Sequence, residues 1–482
     1  MHRILLCLIT LISLSSHIKA QNETDALRYS RITPGGTARF VSMGGAFGAL
    51  GGDFSSLSIN PAGIGLYRSS ELTFTPGFSV SNTGSTFYGN MEEDFNYDFN
   101  ISNIGLVLAM NRSGQPGEAG FRGFQIGFGF SRLANFNNRS VYDGFNNHSS
   151  LMTQYLDIAN AENNPLSPGN FDPFTTGLAW ETFLLDTLDG QFLVDMVSGG
   201  VYQRRETTTS GSIREMSVTL GYNYGDRLYL GAAFGFPRVR FERNFIYIEE
   251  EDPLNPNQFF NSLELTDRLN TSGTGFNLKL GVIYRATDMI RLGAAMHTPT
   301  FYELNDDFSR TLRSNLSFGS YTGDSPEGEF DYELNTPLRL IGSLGLVFGT
   351  RGILSIDYEY ADFRQMRLRS NTYMFRAENS VIRNNFDIQH NIRLGGEIRL
   401  DPVILRAGYI YNSSPYRGGV NDAVTNTVSA GLGFRDRNFF VDLAFFRSWY
   451  SELYYPYSSE LTNPVFFDYS RSSLVTTIGL RF

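Results

Sequence analysis

The sequence has little cysteine, little lysine and few charged residues. Cys7 is the only cysteine among 482 residues, so a disulfide framework is excluded. Charged residues make up 18% of the chain, below the roughly 25% of soluble domains. The formal net charge is −10, which disfavours nucleic acid as a partner. Lysine occurs only at positions 19 and 279, so arginine carries nearly all of the positive charge.

Long hydrophobic runs are also missing after the N-terminus. No later segment reaches about eighteen consecutive apolar residues, which excludes transmembrane helices. The first twenty residues differ, because a short charged start is followed by a largely apolar stretch over residues 4–14 and by Ile18-Lys19-Ala20. This order is typical of a signal peptide over residues 1–20. Cys7 lies inside it, so the mature chain is expected to contain no cysteine.

Aromatic residues are abundant, with 41 Phe and 26 Tyr, and they occur in segments where apolar and polar side chains alternate. In residues 388–400, Ile392, Leu394 and Ile398 fall on one face and charged or amide side chains on the other. A soluble β-sandwich also alternates, but long apolar faces with aromatic ends favour strands that contact lipid. We therefore predict an all-β fold, a 14-stranded antiparallel transmembrane β-barrel. Its strands are expected near 70–81, 101–111, 122–136, 211–223, 227–238, 273–286, 289–301, 333–349, 352–367, 387–400, 403–412, 425–435, 438–449 and 471–482.

The connections between these segments alternate between short and long, as they do in outer-membrane barrels. The short turns at 224–226, 401–402 and 436–437 are expected on the periplasmic side. The last strand ends in Phe482, and this ending resembles the signal read by the barrel-assembly machinery, a predicted partner during biogenesis. The long connections, expected outside the cell, are 82–100, 137–210, 239–272, 302–332, 368–386, 413–424 and 450–470.

Residues 21–69 do not alternate. Gly44, Gly48 and Gly52 recur every four residues, which on a helix would form a smooth face for close packing. A membrane-helix dimer is excluded because the apolar stretch stops at Asp53, and a dinucleotide-binding loop because the glycine spacing does not fit. The segment is expected to pack inside the barrel. In Asn60-Pro61-Ala62, Asn suits a helix N-cap and Pro the first helical position.

Three short stretches carry a family resemblance: Gly45-Ala46, Asp53–Ser56 and Asn60-Pro61-Ala62-Gly63, the last just before the first strand. Together they resemble the FadL/TodX family of outer-membrane transporters for long-chain fatty acids and other hydrophobic compounds. Weaker similarity is found at Asn335-Thr336-Pro337-Leu338 and at Leu405–Tyr409.

The resemblance implies a hatch at 21–69 inside a barrel at 70–482, and a monomer in the cell outer membrane. It implies diffusive uptake of a hydrophobic small molecule, with a kinked third strand that opens sideways into the bilayer. The glycine-rich third strand, with Gly123, Gly127 and Gly129, is the candidate for that lateral opening because glycine permits bends in a strand, although the same glycines can serve ordinary barrel curvature. The predicted hatch and gate residues are Gly44, Gly48, Gly52, Asp53, Asn60, Pro61 and Ala62.

Two further groups are candidate substrate contacts. In the 137–210 connection a helix-like stretch places Trp180, Leu184 and Leu188 at i, i+4 and i+8 after the cap Asp172-Pro173. With Leu178, these residues form a predicted docking face, although such faces can also simply pack on each other. The predicted lumen pocket combines apolar residues, which can equally pack under the hatch, with arginines, which can form a charge network or hold a head group: Val107, Arg339, Ile341, Arg393 and Phe440.

Other functions receive less support from the sequence. Outside the predicted leader only His148, His297 and His390 remain, on separate segments, and no catalytic triad is recognisable. We therefore predict no enzyme, no metal and no cofactor. A haem receptor and a scaffold or shuttle barrel in protein secretion stay open as alternatives. The acidic run 249–252 is interpreted as a solvated loop, and outer-membrane lipids and lipopolysaccharide are the expected surroundings.

Overall fold

The computed structural model describes residues 23–33, 35–111, 120–161, 171–194 and 200–482. The predicted leader at 1–20 lies outside the described residues. Within the described ranges, no helix is both long and apolar enough to cross a membrane.

Antiparallel strands make up most of the described chain. The two short strands β5 and β6 form a separate hairpin, and all the others belong to one sheet. The strands are β1 Glu71–Phe87, β2 Asn90–Asn111, β3 Phe121–Asn135, β4 Asn138–Asn146, β5 Asp186–Leu188, β6 Gln191–Leu193, β7 Val201–Tyr224, β8 Leu228–Glu251, β9 Phe260–Arg285, β10 Ile290–His297, β11 Phe301–Leu316, β12 Gly319–Asp324, β13 Gly328–Asn335, β14 Arg339–Phe348, β15 Gly352–Asp362, β16 Arg367–Arg369, β17 Ile388–Leu400, β18 Val403–Asn412, β19 Thr425–Arg435, β20 Phe439–Tyr454 and β21 Val465–Arg481.

The sheet closes into a cylinder because β21 pairs with β1, placing Leu480 opposite Leu72. Two positions in the wall are each filled by two successive strands. One position is shared by β10 and β11, which both pair with β9 on one side. The other is shared by β13 and β14, because β10 pairs with β14 and β11 pairs with β13. The result is a closed 14-stranded antiparallel barrel, which confirms the predicted fold class.

The outer surface carries the apolar faces of the strands. On β17, Leu394 and Ile398 point outwards and are 42% and 58% exposed, whereas Asn391 and Arg393 point inwards and are buried. An apolar exterior with a polar interior is the arrangement that a barrel surrounded by lipid requires. The predicted alternation on this strand is confirmed.

Several strands run far beyond their predicted ends. β1 and β2 meet in a hairpin turned by Tyr88 and Gly89, so the interpretation of 82–100 as an open loop was wrong. The connections expected at 239–272 and 450–470 shrink to 252–259 and 455–464, and most of 302–332 is strand. Outside a membrane a strand still needs a hydrogen-bonded neighbour but no longer an apolar face, so the lipid pattern stops before the strand does.

Five α-helices and three 3₁₀ helices accompany the strands in the described ranges. Residues 23–33 and 35–69 fill the bore: Phe47, Ala62 and Ile64 are fully buried, and Ile341 and Val475 of the wall belong to the same cluster as Phe47. The helices are α1 Glu23–Ser30, α2 Ala38–Ser42, α3 Leu151–Ala161, α4 Thr176–Glu181 and α5 Arg376–Asn385, with 3₁₀ helices at Phe54–Ser58, Pro61–Leu66 and Phe363–Gln365.

Candidate functional site

The three predicted hatch glycines do not share a helix face. Helix α2 ends at Ser42, and Gly44 (φ 59°) and Gly52 (φ 66°) lie in turns with left-handed backbone that favours glycine. The helical interpretation was therefore wrong. The expected close approach is present at two of the three glycines: a Cβ on Gly44 would lie 2.9 Å from the Leu394 carbonyl oxygen of the wall, and one on Gly48 would collide with Ser343. At Gly52 the expectation was wrong, because a Cβ there would have no atom within 4 Å among the described residues beyond its chain neighbours.

Asp53 connects two segments of the hatch through hydrogen bonds. Its carboxylate caps the 3₁₀ helix Phe54–Ser58 by accepting from the Ser55 backbone N–H at 2.9 Å, and it also accepts from Thr37 Oγ1 at 2.7 Å. Burial raises the pKa of the Asp53 carboxyl, although these donors and Arg39 oppose the change. The residue joins two turns of the hatch that are far apart in sequence.

Asn60 connects the hatch to the wall. Its Oδ1 accepts from the Ala62 N–H at 3.1 Å, which makes it the predicted N-cap with Pro61 at the first helical position. Its Nδ2 donates to the carbonyl oxygens of Gly48, at 2.7 Å, and Val282 on β9, at 3.1 Å. The side chain is fully buried, so removing it would leave these carbonyls without a donor.

Helices α3 and α4 and the β5–β6 hairpin pack together over the mouth of the barrel, and we call them the extracellular layer. A cavity of about 1210 Å³ lies between the hatch and this layer. Leu27 and Ile59 of the hatch line one side of it, and Leu151 and Tyr155 of α3 line the other. Its side walls are rich in aromatic rings, including Phe136, Tyr142, Phe241, Phe245, Phe446, Tyr450, Tyr454, Phe467 and Tyr469.

Of the five predicted lumen residues, only Arg339 and Arg393 line this cavity. Val107 packs in a cluster with the hatch, and so does Ile341. The ring of Phe440 lies under the guanidinium groups of Arg435 and Arg481, at 4.2 and 5.1 Å. The structure thus places these three apolar residues in packing positions and does not join them into one pocket.

Arg339 and Arg393 meet at one carboxylate. Glu359 accepts from Arg339 at 2.7 Å and from Arg393 at 2.6 Å, and Arg339 also donates to the Ser30 carbonyl of α1 at 2.6 Å. Two nitrogens of Arg393, Nε and Nη1, are buried without a hydrogen-bond partner within the described residues. Arg393 therefore retains donor capacity that Arg339 has used on the hatch.

Arg205 and Arg471 are two of the seven cavity-lining arginines in the described ranges that were not predicted from the sequence. The Arg205 guanidinium lies 3.6 Å from the ring centroid of Phe245 and donates to Tyr454. Arg471 donates to Ser81 and to two backbone carbonyls. In the part of the chain that is described, neither forms an ion pair with a carboxylate. Arg205 lies in a stretch of β7 that was assigned to a loop, so its inward direction could not be predicted.

The predicted docking residues form part of the layer above the cavity. Leu178 and Leu184 are buried against α3, Trp180 is half-buried and Leu188 is 65% exposed. The predicted i, i+4, i+8 helix was wrong, because α4 ends at Glu181. The next residues leave the helix, Thr182 bonding back to the Leu178 carbonyl and Phe183 adopting φ 57°.

Glu249 fastens this layer to the wall. The carboxylate is fully buried and accepts from the Leu151 N–H and from Gln203 Nε2, both at 2.8 Å, and from the Tyr247 hydroxyl at 2.6 Å. Ser150 donates to it as well. The interpretation of this residue as part of a solvated loop was wrong.

The barrel wall is broken beside the cavity. The β2–β3 ladder runs from Asn111 opposite Gly123 to Asn103 opposite Ser131, and within the described strands it stops there. Beyond that point, residues 90–101 of β2 pair only with β1.

The strand that follows β3 turns inward at this break. β4 pairs with β7 only, and its Val141 carbonyl accepts from Ser85 Oγ of β1 at 2.6 Å. It thus packs against both β1 and β2, but within the described residues it forms no backbone ladder with either of them.

The predicted lateral glycines lie below this break. Gly123, Gly127 and Gly129 are all in the intact ladder. A Cβ on Gly127 would lie 2.7 Å from Ile64, and one on Gly129 would collide with Phe54, so both glycines make room for hatch side chains. The structure places the break further along the strand.

After the last β2–β3 pair at Ser131, the β3–β7 ladder shifts register between Arg132 and Ala134, and three asparagines follow at 135, 137 and 138. Asparagine favours turns and interrupts strands. This was the signal available in the sequence for the position of the break.

Comparisons with known proteins show which structures are similar to this barrel and its hatch. No protein-family model and no curated protein sequence matches the chain. A solved FadL homologue of Pseudomonas aeruginosa matches with a TM-score of 0.57 at 13% identity, over 94% of this chain and 98% of that one. The chain has the FadL/TodX fold.

Two further structures with the FadL/TodX fold are similar over almost their whole length. The P. putida toluene transporter TodX matches with a TM-score of 0.55 at 13% identity, covering 93% of this chain and 99% of that one. The Ralstonia pickettii toluene transporter TbuX matches with a TM-score of 0.50 at 15% identity, covering 93% and 98%. The resemblance drawn from the sequence is confirmed for the fold.

Proposed function

We propose that this protein is an outer-membrane channel for the diffusive uptake of hydrophobic compounds. One observation carries the proposal: the hatch fills the bore beneath an aromatic-lined cavity, while the wall beside that cavity is broken between β2 and β4. A compound that enters the cavity from outside leaves sideways through the break. The similar structures described as toluene transporters support a hydrophobic substrate.

The physical reason for a sideways exit is the free-energy cost of exposing an apolar compound to water. Each methylene group that leaves an apolar environment for water costs roughly 0.8 kcal/mol. A water-filled pore would therefore be a barrier to the compounds it carried. A cavity lined by rings and joined to the bilayer by a lateral opening avoids that step.

The proposed roles of the predicted residues follow from their positions. Leu188 and Trp180 are the docking residues that remain accessible, and Leu178 and Leu184 support them. Arg393, with its free donors, is the preferred contact for a polar head group. Phe482, whose backbone bonds to Ser70, stays the proposed assembly signal. The proposed hatch residues are Gly44, Gly48, Gly52, Asp53, Asn60, Pro61 and Ala62.

Uptake into liposomes tests the proposal. The full mature chain is reconstituted and the entry of radiolabelled oleate and of radiolabelled toluene is compared with that into empty vesicles. A variant lacking residues 22–62, checked for heat-resistant barrel migration, should show altered flux. Entry no faster than into empty vesicles for both probes would overturn the proposal.

The scaffold function remains a second candidate, because the layer over the barrel mouth could also bind a protein. Unchanged probe entry together with loss of surface-protein display, after removal of residues 22–62, would favour it. The comparisons give the haem-receptor alternative no support. The proposed surroundings are outer-membrane lipids and lipopolysaccharide, with the barrel-assembly machinery as a partner during biogenesis.

A further inference from the structure

The break in the barrel wall is bridged by one carboxylate. Asp98 Oδ2 accepts from both terminal nitrogens of Arg132, each at 2.9 Å, and from Asn135 Nδ2 at 3.0 Å. Its Oδ1 accepts from Asn137 Nδ2 at 2.6 Å. Asn100, on the same strand as Asp98, also donates to Oδ2 at 3.2 Å, so five donors on four side chains converge on this residue.

The position of this cluster matches the missing ladder. Asp98 lies on β2 in the stretch that pairs only with β1. Its partners belong to the segment 132–137, where the register shifts and the chain passes from β3 to β4. Side-chain bonds to Asp98 thus span the same gap that backbone bonds span lower in the wall.

The cluster is sheltered, whereas a second bridge nearby is exposed. The side chains of Arg132 and Asp98 are 9% and 11% exposed. Arg139 on β4 also reaches β2, where it pairs with Asp94 at 3.1 Å, but its side chain is 48% exposed. An exposed ion pair adds little to stability, so the bonds to Asp98 contribute more to the closure of the gap than the Arg139–Asp94 pair does.

Apolar rings lie on the outer side of the gap. Phe95, Tyr97 and Phe99 point outwards from β2 and are 49%, 67% and 75% exposed. Ile104 and Leu108, which lie where β3 is paired, are 40% and 37% exposed. A molecule passing between β2 and β4 would therefore leave the polar cluster behind and meet rings.

We propose that Asp98 is a gating residue, and that its bonds to Arg132, Asn135 and Asn137 form a clasp that sets the width of the lateral opening. The proposal rests on the proposed function. Lower in the wall β2 and β3 are joined by a backbone ladder, whereas residues 90–101 of β2 are joined to the segment 132–146 by side-chain bonds, and those to Asp98 are the more sheltered of these. We therefore expect this part of the wall to open more readily than the β2–β3 ladder.

The first test measures the gap without any transport. Spin labels are placed at Glu93→Cys on β2 and Thr208→Cys on β7, two exposed positions on opposite sides of the gap. The only native cysteine is in the predicted leader, so the labels are specific. Asp98→Ala should lengthen or broaden the distance distribution, with the open population rising about tenfold because bonds to a charged group are lost.

Matched variants make this result interpretable. Asp98→Asn keeps the side-chain shape and removes the charge, and we expect an intermediate distribution. Glu264→Gln removes an exposed ion pair with Arg313 between β9 and β11 and should leave the distances unchanged. An unchanged distribution in Asp98→Ala, in a barrel that still migrates as folded, would overturn the clasp.

The second test locks the gap. In Asp98→Cys with Asn137→Cys, a disulfide replaces the clasp, and oxidation should reduce oleate and toluene entry to the level of empty vesicles, with recovery on reduction. Equal entry before and after confirmed oxidation would show that the gap does not gate transport. Absence of entry through the wild-type protein would instead refute the proposed function, and the label distances would still decide whether the clasp exists.

Discussion

Two parts of the barrel wall have similar side-chain patterns and different backbones. β7 and β8, each 24 residues long, pair along their whole length from Val201 opposite Glu251 to Tyr224 opposite Leu228. β2 is nearly as long, yet its ladder with β3 ends at Asn103. Alternation of side chains therefore shows which way a residue faces but not whether its backbone has a neighbour.

The hatch contacts both parts of the wall in different ways. Towards β8 and β9 it presents the backbone of Pro61 and the amide of Asn60, which leave no room for movement. Towards β2 and β3 it presents the side chains of Phe54 and Ile64. We therefore expect substitutions in the continuous wall at β8 and β9 to lower the free energy of unfolding more than substitutions in the broken wall at β2 and β3.

The largest effect should come from Gly231→Val on the continuous wall. A Cβ there would collide with the backbone of Pro61, which cannot rotate away, so we expect a loss of about 3 kcal/mol or more in the free energy of unfolding. Gly84→Val on β1, where the nearest atom is 3.9 Å from the new Cβ, is the matched control. Denaturant unfolding in detergent measures both, and equal midpoints would contradict the comparison.

A smaller loss is expected for Asn60→Ala. The change removes a helix cap and leaves the carbonyls of Gly48 and Val282 without this donor, at a cost of about 2–3 kcal/mol. The same unfolding experiment applies, with the exposed Asn315→Ala as control. If both variants unfold alike, Asn60 does not anchor the hatch.

On the other side of the hatch, Gly129→Val should cost about 1–2 kcal/mol, because the new side chain meets the ring of Phe54 and its Cβ lies 2.7 Å from the Ile104 carbonyl oxygen of β2. Adding Phe54→Ala should recover part of the loss, which a double-mutant cycle measures. Strictly additive losses would show that the two positions do not touch. Retained oleate entry in the double variant would support an exit above the glycines.

The smallest effect is predicted for Glu264→Gln. Its ion pair with Arg313 joins β9 and β11 at 3.1 Å, but both side chains are exposed, so the free energy of unfolding should change by less than about 0.5 kcal/mol. A shift as large as that of Asn60→Ala would mean that the extracellular ends of the strands depend on charges more than on their ladders.

Much of the site was within reach of the sequence, and some of it was not. Asn60-Pro61 predicted a capped helical turn correctly, because an N-cap and a proline in the first turn depend only on neighbouring residues in the sequence. The glycines at 44, 48 and 52 indicated close packing, which is found at Gly44 and Gly48 only, and they did not indicate the backbone conformation that achieves it. Asp98 gave no signal, since its three partners across the gap lie 34 to 39 residues away along the chain.

The strand number, the apolar exterior and the segment inside the bore were decided by the sequence alone, because each strand must alternate in order to separate lipid from the lumen. Where the ladder stops, which arginines keep free donors and what bridges the gap were decided only by the tertiary structure. These features depend on backbone neighbours and on contacts between distant segments, and no local pattern of residues records them.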